Sequence, residues 1–209
     1  MRRAALIAGI FIAVFTMSTV GAIPAQAAGD TSPYRATYGT FTSVSKSGRS
    51  DSIFTLPSGA KAGIIIARYS GDSNFIVEGL DARKHLTALP VNTIGDYAGT
   101  TAFGLQDWMP QTRSIRVKAR GAWSIQVKQI SRAPFLQKTG RTDGVFLYGG
   151  MAKNVRMVHR GSGNFIVQQT ARGTTDLVVN EIGSYSGTNP LVKGPSVIEV
   201  NANGAWSIK

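Results

Sequence analysis

The 209-residue chain contains no cysteine. That excludes disulfides, thiolate metal sites, a thiol nucleophile and lipid-modified cysteine. Acidic residues are scarce, 11 against 23 lysines and arginines, and the formal net charge is +12. Histidine occurs twice, as His85 and His159, and no zinc-ligand spacing is present. The chain has no glycine loop of the phosphate-cradling type and no Gly-x-Ser-x-Gly elbow around a serine. Charged residues make up only 16% of the chain and apolar ones 43%, which excludes a charge-rich disordered protein and suffices for a packed core. Sustained runs of helical period are missing, while glycine is abundant at 24 residues. Both features lean towards β structure.

What is there begins with an export signal. Arg2 and Arg3 precede an uncharged apolar stretch over residues 4–20, followed by Ala25-Gln26-Ala27, a small-x-small cleavage site. The segment 1–27 therefore reads as a secretory signal peptide, with the mature chain starting at Ala28. The alternative is an uncleaved membrane anchor, for which the stretch is slightly short. The arginine pair lacks the flanking residues of a twin-arginine signal. Over residues 28–209 the balance becomes 21 basic against 11 acidic, a net charge of +10. No other segment reads as a membrane span, so the expected location is extracellular, in association with the cell wall or free.

The remainder is a tandem repeat. Lys46-Ser47-Gly48-Arg49-Ser50-Asp51 returns as Lys138-Thr139-Gly140-Arg141-Thr142-Asp143. Gly71-Asp72-Ser73-Asn74-Phe75-Ile76-Val77 returns as Gly161-Ser162-Gly163-Asn164-Phe165-Ile166-Val167. Val91-Asn92-Thr93-Ile94-Gly95 and Tyr97 return as Val179-Asn180-Glu181-Ile182-Gly183 and Tyr185, and Gly121-Ala122-Trp123-Ser124-Ile125 returns as Gly204-Ala205-Trp206-Ser207-Ile208. The largest length difference lies between Thr100 and Ile115, where copy 1 carries extra residues.

In copy 1, short apolar or alternating runs fall near 41–44, 52–56, 63–69, 75–78, 86–91, 97–103, 114–119 and 123–128, separated by turn residues. That spacing predicts an all-β fold. It is read as two tandem antiparallel β-sandwich domains, jelly-roll-like, with a linker at 28–40, repeat 1 at 41–131 and repeat 2 at 132–209. A single sandwich sharing strands between the copies is the competing arrangement. Period-two alternation in 115–127 places Trp123, and by repetition Trp206, on the core face.

Together these motifs resemble a β-sandwich module found in secreted actinobacterial proteins. The layout is also similar to bacterial pre-peptidase C-terminal domains and to carbohydrate-binding sandwich modules. The resemblance covers residues 46–128 and 138–209. It implies an exported, non-catalytic accessory or binding role, and it brings no catalytic motif with it.

The chemistry-bearing residues support the same expectation. His159 aligns with Tyr69 and reads as a strand-end surface residue; a triad of His159, Ser162 and Asp143 has no spacing to support it. Asp72, Asp81, Asp96, Asp107, Asp143 and Asp176 sit in turn-like contexts. Asp51 and Asp143, shared by the copies, are either calcium ligands or turn residues paired with the neighbouring arginine. Asn74, Asn164, Asn92 and Asn180 read as turn residues. No metal, cofactor or catalytic residue is expected, and no specific nucleic acid. The copies differ at Arg116, Lys118 and Arg120, whose counterparts are Glu199, Asn201 and Asn203. With Arg113 these form a basic stripe, read either as a polyanion-binding surface or as a solvated face. Trp108 has no repeat partner and lies in the extra residues of copy 1. It is either an exposed platform for a sugar face or a lid on the sandwich edge. Tyr69 and Tyr148 are weaker platform candidates, and the shared Tyr97 and Tyr185 read as structural. The expected ligand is a cell-envelope polysaccharide or anionic cell-wall polymer. The second expectation is a secreted protein-interaction factor, inhibitor or toxin-like, acting through its loops.

Overall fold

The computed structural model describes residues 29–209. The signal peptide and its cleavage point lie outside the described residues. Copy 1 contains β1 (Val44–Gly48), β2 (Ser52–Thr55), β3 (Gly63–Ser70), β4 (Asn74–Leu80), β5 (Leu86–Ile94), β6 (Tyr97–Phe103), β7 (Ser114–Ala119) and β8 (Ala122–Gln129). Its layers run β1-β8-β3-β6 and β2-β7-β4-β5, the interlocked order of an eight-stranded jelly roll. The run at 41–44 enters its strand only at Val44.

Copy 2 follows a short 3₁₀ turn at Ile130–Arg132 and contains β9 (Thr139–Gly140), β10 (Gly144–Tyr148), β11 (Lys153–Ala171), β12 (Thr174–Ile182), β13 (Tyr185–Leu191) and β14 (Ser196–Ile208). The topology is the same with fewer breaks. β11 stands for both β3 and β4: its first half pairs β13 and its second half pairs β12. β14 stands for β7 and β8, pairing β10 early and β9 late. Both strands pass from one layer to the other at a register shift between Gly161 and Phe165. The Asn203 side chain bridges the bend there, accepting the Gly163 N–H at 2.8 Å. No ladder joins the copies among the described residues.

Alternation fills each sandwich. Ile65, Ala67, Phe75, Val77, Ile115, Val117 and Ile125 meet inside copy 1, and Val155, Met157, Phe165, Val167, Ile198, Val200 and Ile208 inside copy 2. The two shared end motifs form one device. The Trp123 indole N–H donates to the Ser50 carbonyl at 2.8 Å and that of Trp206 to Thr142 at 3.0 Å. Each ring packs against a glycine, Gly48 or Gly140, two residues before the carbonyl it bonds, and a Cβ at Gly48 would come within 2.6 Å of the Trp123 ring. Asp51 and Asp143 then accept the backbone N–H of Ala119 and Ala202, each at 2.9 Å. The expected pairing of these aspartates with Arg49 and Arg141 is therefore corrected. Their carboxylates tie a strand start to the opposite hairpin.

A third cluster lies between the copies. Ile64 and Ile66 point out of copy 1, while Val145, Leu147 and Val197 point out of copy 2. Tyr34, Tyr38, Leu105, Ile130 and Ala133 seal the seam. This explains why every residue of β10 is buried: one side chain faces its own core and the next faces the other sandwich. The segment expected as a linker at 28–40 is corrected here, because it holds α1 (Ser32–Tyr38), started by Pro33 and anchored by Tyr34 and Tyr38. A linker would leave these rings in water.

Candidate functional site

The basic stripe lies along β7, but its charge is not free. Glu78, opposite Arg116 on β4, accepts hydrogen bonds from the Arg116 guanidinium and from Lys118 Nζ, the latter at 3.1 Å. Burial pushes the Glu78 carboxyl up, but the two cations outweigh it and hold it below its ordinary value. Arg116 and Lys118 are thus half-neutralised members of an ion-pair cluster, which corrects the stripe as first read. Arg113 and Arg120 stay exposed and flank the six-residue strand, roughly 20 Å apart along it. Sequence comparison of the copies carried a signal for Glu78. It becomes Gln168 where Arg116 becomes Glu199 and Lys118 becomes Asn201, a joint change expected of touching charges.

Trp108 sits on the loop 104–113 with 75% of its surface exposed, so the lid alternative is excluded. The loop is nevertheless pinned. Leu105 enters the seam between the copies, and Gln106 donates to Thr175 Oγ1 at 3.1 Å. The Asp107 carboxylate fills the space beside Gly173, whose φ of +77° belongs to the turn after Arg172. Docking of copy 1 on copy 2 therefore holds the insertion in place, with Trp108 exposed on it, exposed Arg172 in the turn that Asp107 meets, and exposed Arg113 at the far end of the loop. Arg172 was not singled out from the sequence, because only the fold brings its turn to this loop.

The other candidates are accounted for by packing. Tyr69 and Tyr148 are buried and donate to the carbonyls of Arg120 and Met151, so neither is a ligand platform. His159, expected on the surface, is 1% exposed. It stacks on Phe165 at 4.8 Å as Tyr69 stacks on Phe75 at 4.8 Å. Its Nδ1–H donates to the Gly183 carbonyl at 2.7 Å, and Nε2 is buried without a partner among the described residues. The triad is not assembled, since the Asp143 carboxylate is held by Tyr97 and Ala202. Asn74, Asn92, Asn164 and Asn180 lie in strands on exposed faces, not in turns, and Asp176 lies in β12. Among the described residues no three carboxylate or histidine side chains gather at a point suited to a metal ion.

A cleft of about 400 Å³ between the copies holds Asp143 and Glu199. The Tyr97 hydroxyl donates to Asp143 at 2.7 Å, and the Ala102 N–H donates to Glu199 at 3.2 Å. Burial pushes the Glu199 carboxyl up to about 7, against the pull of that hydrogen bond. A carboxyl whose folded value is raised binds its proton more tightly in the folded state. Its contribution is full below the unfolded value and is lost as pH rises through about 7. Glu199→Gln keeps an acceptor for Ala102 and removes the charge. The variant should melt roughly 5 °C above wild type at pH 8 and equal it near pH 4, as read by circular dichroism melts across that range. An equal difference at both pH values would count against buried charge as the cause.

No protein-family model matches the chain, and no curated protein matches it either.

Proposed function

We propose that the protein is a secreted, non-catalytic binding protein for cell-envelope or extracellular polysaccharide, anionic polymers included. The carrying observation is Trp108, 75% exposed on a loop whose anchors come from both sandwiches. An indole held in water offers an apolar face to the C–H face of a sugar, and a pinned loop loses little entropy on binding. Arg113, Arg120 and Arg172 make no ion pair among the described residues, so their charge is available to a polyanion. Arg116 and Lys118 contribute less, because Glu78 already engages them. The export signal and the resemblance to secreted sandwich modules support the same reading.

The test is sedimentation of the chain 28–209 with insoluble cell wall, chitin and cellulose at low and high salt. Trp108→Ala should weaken binding roughly fivefold to tenfold at either salt concentration. Arg113→Glu with Arg172→Glu should remove the salt-sensitive part. No sedimentation with any of the three polymers would sink the reading.

One observation favours the protein-interaction alternative. The hairpin tips Ile94 and Ile182 occupy the same place in both copies and are among the most exposed apolar side chains. A stoichiometric protein captured from culture medium by wild type, and not by Ile94→Ser/Ile182→Ser, would favour that alternative.

A further inference from the structure

A second cleft, separate from the Trp108 loop, opens where α1, the connection after the 3₁₀ turn and copy 2 converge. Its volume is about 1040 Å³, at the upper end of small-molecule sites, about 300–1,000 Å³. Its accessible apolar wall is formed by half-buried Phe135, Leu136 and Pro33 with exposed Pro195, and core residues Val155, Ile208 and Tyr148 lie beneath. Phe135 is held edge-on to Tyr34, with ring centroids 6.3 Å apart, so the wall is preformed.

The border has one dominant sign. Lys138, Lys153 and Lys209 line it and are exposed, and none makes an ion pair among the described residues. The acid on the border is Asp30, whose carboxylate accepts the Ser32 N–H at 2.8 Å. That bond to its own helix turn holds its pKa below the ordinary value. The Tyr34 hydroxyl is buried beneath the cleft, beside the backbone of Tyr148 and Ser196. It lies near Gly149, where an added Cβ would be 3.9 Å from it.

We infer that this cleft binds an anionic single-chain amphiphile, with the alkyl chain along Phe135, Leu136, Pro33 and Pro195 and the head group among Lys138, Lys153 and Lys209. An apolar trough takes any alkyl chain, and the lysines select an anionic head over a cationic one. A fatty carboxylate and an alkyl phosphate share this chemistry.

Gly149 supplies the block. It lines the cleft, and an added Cβ there would meet its nearest neighbours, the Phe135 ring and the Tyr34 hydroxyl, only at 3.8 Å and 3.9 Å. The Cβ of Gly149→Leu therefore fits without displacing the wall, and the rest of the side chain is expected to take up cleft volume. The chain 28–209 is titrated by calorimetry with dodecanoate, dodecyl phosphate and dodecyltrimethylammonium below their micelle concentrations. One site per chain is expected for the anions, with affinity rising about fourfold per added methylene from decanoate to tetradecanoate. Gly149→Leu should weaken both anions at least tenfold while keeping the wild-type melting temperature. Lys138→Glu/Lys153→Glu, on the exposed border, should weaken the anions and strengthen the cation. The tighter anion names the head group. The inference is overturned if neither anion binds at one site, if the cation binds wild type as tightly, or if both variants bind the anions like wild type.

Discussion

Leu147→Arg should destabilise the protein by about 4 kcal/mol or more, whereas Thr55→Arg, at the same position of the other copy, should change stability by less than about 0.5 kcal/mol. Both residues lie on the outer face of the second strand of their repeat, and each pairs with the equivalent position of its neighbour, Thr55 with Ser114 and Leu147 with Val197. Leu147 is fully buried in the seam against Ile64 and Tyr34, while Thr55 is exposed. An arginine at 147 would put its charge into this apolar seam, so the charge is buried or the seam opens. In urea titrations Leu147→Arg should shift the main transition and separate the unfolding of the two sandwiches. Thr55→Arg should leave the curve in place. Equal costs at the two sites would mean that the seam contributes little to stability.

Removing Trp206 should cost about 3–5 kcal/mol, the usual loss for truncating a fully packed aromatic side chain, and Trp123→Ala should cost the same in copy 1. The sharper expectation concerns Gly140. A Cβ at Gly140 would overlap the Trp206 ring, so Gly140→Ala should destabilise by about 1–3 kcal/mol as overpacking. In the Trp206→Ala background the ring is gone, and the same Gly140→Ala should be nearly neutral. A double-mutant cycle then gives a coupling of at least about 1 kcal/mol. Additive costs would show that the glycine is kept for a backbone reason unconnected with the ring.

The pairing of Gly140 with Trp206 shows how repeated motifs can be legible without being understood. The recurrence of Lys-x-Gly-Arg-x-Asp and Gly-Ala-Trp-Ser-Ile was visible in the chain, and period two placed the tryptophans inside. The glycine's reason was not visible, because the ring reaches it across a β1–β8 or β9–β14 pairing. Asp51 and Asp143 were likewise noticed, but their partners, Ala119 and Ala202, lie 68 and 59 residues away.

The differences between the copies have the same kind of explanation. In copy 1 the outer positions of β3 are Ile64 and Ile66, whose counterparts in β11 are Asn154 and Arg156. In the other layer the pattern reverses, with Thr55, Ser114 and Arg116 in copy 1 against Leu147, Val197 and Glu199 in copy 2. Each sandwich has one apolar outer face, and the two meet. Each retains a polar outer face on its other side, with Thr55 and Arg116 in copy 1 and Asn154 and Arg156 in copy 2. Part of the basic stripe arises from this rule. Arg116 faces water beside Glu78, while Glu199 faces the other sandwich.

From sequence alone, hydrophobic alternation and turn spacing determined the all-β class and the strand positions. Repetition determined that one sandwich architecture is used twice. These are local properties, set by which face of a strand each side chain occupies. Only the tertiary structure decided that α1 belongs to the seam, that Glu78 engages two of the stripe's cations, that His159 is buried, and that Trp108 stands in solvent on a loop anchored by both copies. Those outcomes depend on which surfaces meet after folding. Period-two patterning says that a face is apolar or polar, and does not say what will cover it.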